Sequence, residues 1–435
     1  MKPRVVFNTV FQVINRGLVV LVSLLTTAFL TRSFGVENYG NYVFITSFVL
    51  IFVGLSDLGT TTIGVRESAV RKEKAAQIFG LVLGMRVIIS LILLFFLDLA
   101  VFFLPQFAQL KLPTLIASTV ILFLVTRTTS QAILQTFFRL DLASALETFA
   151  AILFLLPLII AKFWQFEISL SSLMIFWSLS ALLSGLVGFW FAARYLPLKL
   201  DFSKKEMFKM IKEASPLGIY LLVYSVYDRG IDSFIIKTFL NSGAVGIYGL
   251  AYKIHGNLIL GAAFLMNSLF PVLSSLKNNS LELKKIFEKT YTILLLAGLL
   301  VFLSFSILAP SIVYLIAGQD FSSSILVLRI LLGATFFSYL NHLTGYLLIA
   351  LGEQTSLLRF SFWALLLNLL LNIILIPRFS YLAAAGVTVL TEFLILGLTQ
   401  NFLRQHYHLK YSWSTLIANI KLIFSEKLNY FEVQE

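Results

Sequence analysis

Runs of about twenty or more apolar residues recur along this chain, about twelve in all, each long enough to cross a hydrocarbon layer of about 30 Å as a helix. They lie approximately over 8–31, 40–63, 77–103, 113–137, 144–162, 169–195, 215–236, 243–273, 286–309, 324–350, 355–376 and 381–403. Lipid offers nothing for backbone N–H and C=O groups to bond, so segments of this length satisfy themselves as helices. The sequence therefore predicts an all-α polytopic membrane protein. Of its 435 residues 59% are hydrophobic and 12% charged; a soluble domain carries about 25% charge, so that class is excluded. The first run follows a short basic stretch with Lys2 and Arg4, is too long for a signal segment and lacks a convincing cleavage site after Thr26-Thr27-Ala28, which predicts a retained first span. A net charge of +12 does not point to nucleic acid, because such a partner needs a solvated basic face that this composition cannot supply. With no cysteine there is no disulfide, thiolate metal site or catalytic thiol.

Orientation follows from the loop charges. Lys and Arg crowd the N-terminus, the connections after even-numbered spans and the tail, as in Arg66, Arg71, Lys72 and Lys74, or Lys204, Lys205, Lys209 and Lys212. The opposite side carries only Arg32, Lys111, Lys162, Lys237 and Arg378. Both termini are expected in the cytoplasm. The longest connection on that side splits the chain into a lobe of six spans at 1–195, a linker at 196–214 and a second six-span lobe at 215–403. A shift of about 206 positions lays one half on the other and brings Phe34–Tyr42 onto Leu240–Tyr248. Halves with an even number of spans share one topology, so they are related by a pseudo-two-fold axis along the membrane normal, with the substrate path expected between them. In the tail, 404–435, Trp413, Leu416, Ile417, Ile420, Phe424, Leu428 and Phe431 recur at helical spacing; this reads either as an amphipathic helix on the inner leaflet or as a frayed end.

An ionisable group at bilayer depth is costly, and it usually faces a partner or a wet cavity. Arg16, Arg86, Arg127, Arg229, Lys253 and Arg329 fall inside the runs, with both halves contributing. If they converge they form an anion site, and the planar fork of arginine suits phosphate oxygens. The alternative for Arg16 and Arg86 is snorkelling to the headgroups, and Arg329 lies near the start of a span. Arg229 sits mid-span in Tyr227-Asp228-Arg229-Gly230-Ile231-Asp232, where Asp232 at i+3 could neutralise it instead. Tyr220, Tyr224, Asp228 and Asp232 share a helical face that either contacts sugars or packs. Asp57, Asp98, Asp228, Asp232 and Glu392 could carry a coupling proton or sodium ion, or serve as counter-ions to the arginines. Gly54 and Gly59 around Asp57 permit a close helix approach or a local break.

Several chemistries lack their residues. Gly35 to Gly40 is followed by Asn41, so the phosphate-gripping lysine of a P-loop is missing. His255, His342, His406 and His408 lack metal-ligand spacing apart from a weak His-x-His pair, and no metal or cofactor is expected. The outer connections are too short for an external catalytic domain, so no enzyme is expected. Gly80 and Gly84 read as helix-packing positions, and Pro157, Pro216 and Pro271 as hinges or stable kinks.

Taken in order, Arg32-Ser33-Phe34-Gly35-Val36-Glu37-Asn38-Tyr39-Gly40, Asp57-Leu58-Gly59, Tyr227-Asp228-Arg229, Gly246 to Lys253, Asn267 to Pro271, Asn368 to Pro377, Ala383 to Val387 and Glu392 resemble the Wzx-type oligosaccharide flippases of polysaccharide synthesis. These belong to the multidrug/oligosaccharidyl-lipid/polysaccharide superfamily, with the multidrug and toxic compound exporters and the lipid II flippases. The fourteen spans usual in lipid II flippases are not found here. The resemblance, over about residues 5 to 403, implies a MATE-like pair of six-helix lobes around a cavity that opens alternately to each side. It implies a polyprenyl-diphosphate-linked oligosaccharide moved from the cytoplasmic to the outer leaflet of a bacterial plasma (inner) membrane, for O-antigen, capsule or exopolysaccharide synthesis. A polysaccharide polymerase and a chain-length regulator would be its partners, beside membrane lipid. On that reading Arg16, Arg86, Arg127, Arg229 and Lys253 hold the headgroup, Tyr220 and Tyr224 contact glycan, and Asp57, Asp228, Asp232 and Glu392 take counter-ion or coupling roles. A multidrug exporter of the same superfamily is the alternative, favoured by an acidic cavity with few deep arginines, the reverse of what this chain shows. A membrane-embedded glycan polymerase or ligase ranks lower for want of external loops.

Overall fold

The computed structural model describes residues 3–197, 200–212, 214, 218, 231–412 and 415–420, with side chains from residue 11 onward. Every regular element among them is helical: α1 (Pro3–Asp57), α2 (Thr60–Val70), α3 (Ala75–Phe103), α4 (Lys111–Ser118), α5 (Val120–Thr136), α6 (Leu140–Phe163), α7 (Leu170–Ala193), α8 (residues 204–212), α9 (Ile231–Phe239), α10 (Ser242–Ser275), α11 (Ser280–Ala317), α12 (Ser324–Leu351) and α13 (Gln354–Tyr407), with three short 3-10 turns. Among the described residues nine helical stretches are long and apolar enough to cross a membrane. Two of these hold two spans each. α1 runs for 55 residues, about 80 Å and far more than a bilayer core, and it is broken at Gly35 (φ 68°, ψ −177°). α13 is broken in the same way at Ser380 (φ 61°, ψ −160°). The run at 215–236 lies largely outside the described residues, and its last six residues open α9.

Both breaks fall between apolar runs that the sequence separates, and each is a single residue with positive φ between helical segments rather than a loop. Pro157 and Pro271 sit inside α6 and α10 without interrupting either helix, and Pro216 lies outside the described residues. A proline removes one hydrogen bond and leaves the helical path intact, whereas a positive φ redirects the backbone, a conformation glycine adopts without a steric penalty.

The helices sort into two compact units, Met1–Gly249 with Tyr314–Phe321, and Leu250–Val313 with Ser322–Glu435. In the first, α1 packs on α3, α5, α6 and α9, and α5 and α6 both pack on α7. In the second, α12 packs along α13. The residues read as a linker, 196–214, belong to the first unit, because their described part is docked on α3. The Asp201 amide donates to the Gly80 carbonyl at 3.2 Å, and a Cβ on Gly84 would lie 2.4 Å from the Asp201 carbonyl oxygen. Met207 and Met210 of α8 then bury against Leu81, Val82 and Met85. The two compact units part at Gly249, inside α10.

The repeat visible in the sequence reappears as contacts. After the last span, Tyr411 pairs its hydroxyl with Thr292 at 2.7 Å and lays its ring 4.2 Å from that of Tyr291. Asn419, on the described helical stretch 415–420, donates to the Glu288 carbonyl at 3.2 Å and to Thr292 at 3.0 Å. In the register that pairs the halves, Val82 and Arg86 correspond to Glu288 and Thr292. The segment following each set of six spans therefore docks on the corresponding helix, α3 or α11.

A second contact is reciprocal. A Cβ on Gly40 would lie 1.8 Å from the Ser242 carbonyl oxygen, and one on Gly246 would lie 2.2 Å from that of Val36. Gly40 corresponds to Gly246 and Val36 to Ser242, so each residue meets its counterpart's neighbour, as a two-fold axis between the two segments requires. Small residues let the backbones approach this closely. Gly246→Leu has no room for its side chain and should destabilise the protein by about 1–3 kcal/mol. Gly17→Ala, where nothing lies within 4 Å, should be neutral; thermal unfolding of both variants in detergent checks this.

Candidate functional site

Two charged clusters lie within the first unit, and they are built differently. The first sits at the junction of α1 and α2, where Leu58 (φ 44°) and Gly59 (φ 75°) take the left-handed conformation. A Cβ on Gly218 would lie 2.4 Å from the Leu58 carbonyl oxygen, so both features read from the glycines around Asp57, a break and a close approach, occur together. The broken turn is held by side chains. Asp57 accepts the Thr61 amide at 3.2 Å and the Thr61 hydroxyl. Arg86 of α3 donates from Nη1 to Thr61 and Thr129, both at 3.0 Å, and its Nε lies 3.5 Å from the Asp57 carboxylate. The Arg86 side chain is 3% exposed. Snorkelling does not apply to it: the guanidinium is enclosed by a carboxylate and two threonines and spends its charge on the helix break.

The second cluster gathers on α1, α5 and α6. Arg16 Nη1 donates to Glu147 Oε2 at 3.1 Å. One residue along each helix, Thr148 donates to the Asn15 side chain at 2.9 Å, so the α1–α6 seam carries two adjacent polar ties. Gln131 of α5 donates to the Ala143 carbonyl at 2.9 Å and reaches Glu147 Oε1 at 3.5 Å. Arg127, four residues before Gln131 on the same face, lies within Coulombic reach of Glu147, and its Nε is buried without a hydrogen-bond partner. Gly185 of α7 sets the position of this stretch, since its Cβ site is 3.1 Å from the Phe123 carbonyl. Unlike the first cluster this one is open: the Arg16 and Glu147 side chains are 40% and 42% exposed. Glu147 is about 10 Å along α6 at 1.5 Å per residue. Two arginines around one carboxylate leave a net positive charge that an anion can share.

Of the residues singled out in the sequence, Arg16 and Arg127 thus come together, while Arg86 and Asp57 pair elsewhere. Lys253 is exposed on α10 in the second unit. Asp232 is buried and accepts the Tyr248 hydroxyl at 2.6 Å. Glu392 accepts from the Asn341 amide at 2.7 Å. Arg329 is exposed and donates to the Ser306 carbonyl at 3.1 Å. Arg229, Asp228, Tyr220 and Tyr224 lie outside the described residues. His255 Nδ1 pairs with Thr335 at 2.8 Å, and among the described residues no three His, Asp or Glu side chains group as metal ligands. Arg32, read as an outer-side charge, caps a helix end by donating to the carbonyls of Leu315 at 2.6 Å and Ile316 at 3.2 Å.

Sequence reasoning passed over Glu147, because it lies only a few residues inside its apolar run and looks terminal there. The signal that could have found it is Arg127 with Gln131 at helical spacing, a basic and an amide side chain on one face of a span with no acid of their own.

A family model described as "Polysaccharide biosynthesis protein" matches residues 5–277. The chain belongs to that family. It is 26% identical over 218 residues to a protein named probable low-salt glycan biosynthesis flippase Agl15 from Haloferax volcanii, an alignment spanning 49% of this chain and 46% of that protein. The chain thus spans about half the length of that curated relative. The fold is that of superfamily transporters. A lipid II flippase, MurJ, in an inward closed conformation superposes with a TM-score of 0.76 at 15% identity, covering 98% of this chain and 94% of that one. An inward-facing multidrug resistance MATE family transporter superposes at 0.71 and 15%, covering 94% and 99%. A superfamily transporter from Pyrococcus furiosus, described as having a binding pocket of reversed polarity, superposes at 0.63 and 13%, covering 96% and 95%. The two-lobe helical membrane fold follows, and the family and these neighbours are transporters and flippases rather than enzymes.

The two ion pairs should respond differently to neutralisation. Arg86→Gln strands Asp57 and leaves the buried Thr129 hydroxyl without its donor, and should cost about 3 kcal/mol. Arg16→Gln breaks a half-exposed pair and should cost about 1 kcal/mol or less. Detergent melting curves of the two variants separate the cases.

Proposed function

We propose that this protein is a flippase that carries a polyprenyl-diphosphate-linked oligosaccharide from the cytoplasmic to the outer leaflet of the plasma membrane, with both termini in the cytoplasm. The observation that carries this reading is the open cluster of Arg16, Arg127, Gln131 and Glu147 on three membrane-embedded helices. A diphosphate crossing a low-dielectric slab must exchange its hydration for fixed cationic donors, and arginine forks match its oxygens. Family membership and the similarity to a glycan biosynthesis flippase support the same substrate class. The glycan passes with the headgroup while the lipid tail stays in the bilayer, and the lobes rock to open the cavity to each side in turn.

Arg229 and Lys253 are assigned to the headgroup on the strength of the sequence, as are Tyr220 and Tyr224 to the glycan. Asp57 serves as the counter-ion of Arg86 and is not assigned to coupling; Asp228, Asp232 and Glu392 are the acids to test for a proton or sodium ion. A polysaccharide polymerase and a chain-length regulator are the expected downstream partners.

The test is leaflet-resolved. Cells lacking the protein should accumulate lipid-linked oligosaccharides that an external glycan-modifying probe cannot reach, and a plasmid copy should restore access. Arg16→Ala with Arg127→Ala should restore less than about a tenth of the wild-type flux at equal protein level, the loss expected when charge-assisted hydrogen bonds to a phosphate are removed. Unchanged amount and sidedness of these lipids in the deletion strain would overturn the reading in favour of an exporter of the same superfamily.

A further inference from the structure

Resting on that reading, we infer that Glu147 is the built-in competitor of the anionic headgroup: its carboxylate occupies the Arg16–Arg127 cluster when the site is empty and is displaced when a phosphate group binds. Three features of the cluster lead there. The first is the donor set. Arg16 from α1 and Gln131 from α5 each point a hydrogen-bond donor at the two oxygens of one carboxylate, at 3.1 and 3.5 Å, with Arg127 in Coulombic reach. Donors from separate helices converging on two oxygens of a single anionic group are what a phosphate oxygen pair would require, and Glu147 fills that place from within the chain.

The second is access, and the comparison lies within the same unit. The Arg86–Asp57 pair is the more enclosed, with side chains 3% and 27% exposed and the Arg86 Nη1 shared between two threonines. The Arg16–Glu147 pair is 40% and 42% exposed. A structural ion pair in lipid gains by closure, because each unpaired donor or charge at that depth is costly. The open pair gives up that gain and keeps its groups within reach of a ligand.

The third is charge. Among the described residues two guanidiniums stand against one carboxylate and leave one positive charge over, enough to attract an anion. A diphosphate brings more charge and more acceptor oxygens than a carboxylate, so it wins the arginines. Once displaced, Glu147 remains tethered beside the bound headgroup as a like charge, which weakens the complex and favours release. A transporter site must bind firmly enough to load and loosely enough to unload, and a tethered competitor supplies the second half of that requirement.

The experiment is a calorimetric titration of the purified full-length protein in detergent with inorganic pyrophosphate. Glu147→Gln keeps the shape and can still accept from Arg16 but removes the competing charge; it should bind pyrophosphate about five- to tenfold more tightly than wild type. Glu147→Asp keeps the charge and should stay within about twofold of wild type. In proteoliposomes the tighter-binding Glu147→Gln should turn over lipid-linked substrate more slowly, as release becomes limiting. Equal or weaker pyrophosphate binding by Glu147→Gln overturns the inference and makes Glu147 a group that orients the arginines. If Arg16→Ala with Arg127→Ala binds pyrophosphate as wild type does, or if wild type and Glu147→Gln both fail to bind it at millimolar concentration, the anion-site reading itself fails and the inference falls with it.

Discussion

A polar group placed in hydrocarbon must find its partner within the protein, and this cost organises the chain at every level. It makes the described elements helical, since a helix satisfies its own backbone. It places the hydroxyls of Thr26, Thr27, Thr46 and Thr128 onto carbonyls four residues back, so that threonines in spans cost little. It also explains the breaks. A backbone that leaves the helical path exposes groups that something else must satisfy: at Leu58–Gly59 the Asp57 carboxylate accepts the Thr61 amide and the Thr60 hydroxyl donates to the Asp57 carbonyl, while Arg86 holds the carboxylate in place. Among the described residues the deepest enclosed charge is therefore spent on architecture.

The same constraint gives the two ion pairs of the first unit opposite meanings. An enclosed arginine–carboxylate pair braced by two threonines holds a helix junction in place. An open pair with a spare arginine beside it keeps positive charge available inside the membrane, at a cost in stability that a purely structural element has no reason to carry. The contrast between Arg86 with Asp57 and Arg16 with Glu147 is the basis on which the proposed site is set apart from the scaffold.

Glycine does the complementary work, because lipid gives helices no hydrophobic drive to associate and close backbone contact has to supply it. Gly84 admits the Asp201 carbonyl, Gly218 that of Leu58, and Gly40 and Gly246 bring together two segments the repeat makes equivalent. The reciprocity of that last contact converts a loose similarity between two stretches of sequence into a geometric statement about the axis relating them. The docking of 201–210 on α3 and of 411–419 on α11 repeats the lesson at the other end of each half.

The class of the protein, its spans and the symmetry between its halves were legible in the sequence, because each depends on runs and repeats that are local or periodic: a slab of fixed thickness demands apolar runs of fixed length, and a duplicated half carries its motifs at a constant offset. The resemblance to polysaccharide flippases was legible for the same reason, as ordered motifs. Which arginine meets which acid was not. Arg16, Arg86 and Arg127 look alike in sequence, each a single basic residue in an apolar run, and nothing local tells that Arg86 would be enclosed by threonines 25 and 43 positions away, or that Glu147 lies 131 positions from Arg16 and beside it. The breaks at Gly35 and Ser380 fall between apolar runs that the sequence separates, and the one at Leu58–Gly59 where the glycines around Asp57 allow it; which single residue takes the positive φ is imposed by the packing around it. Sequence alone determined what must lie in the membrane, by the price of hydration lost residue by residue; only the tertiary structure decided which charges cancel and which stay open, because pairing depends on distances between helices that no single helix encodes.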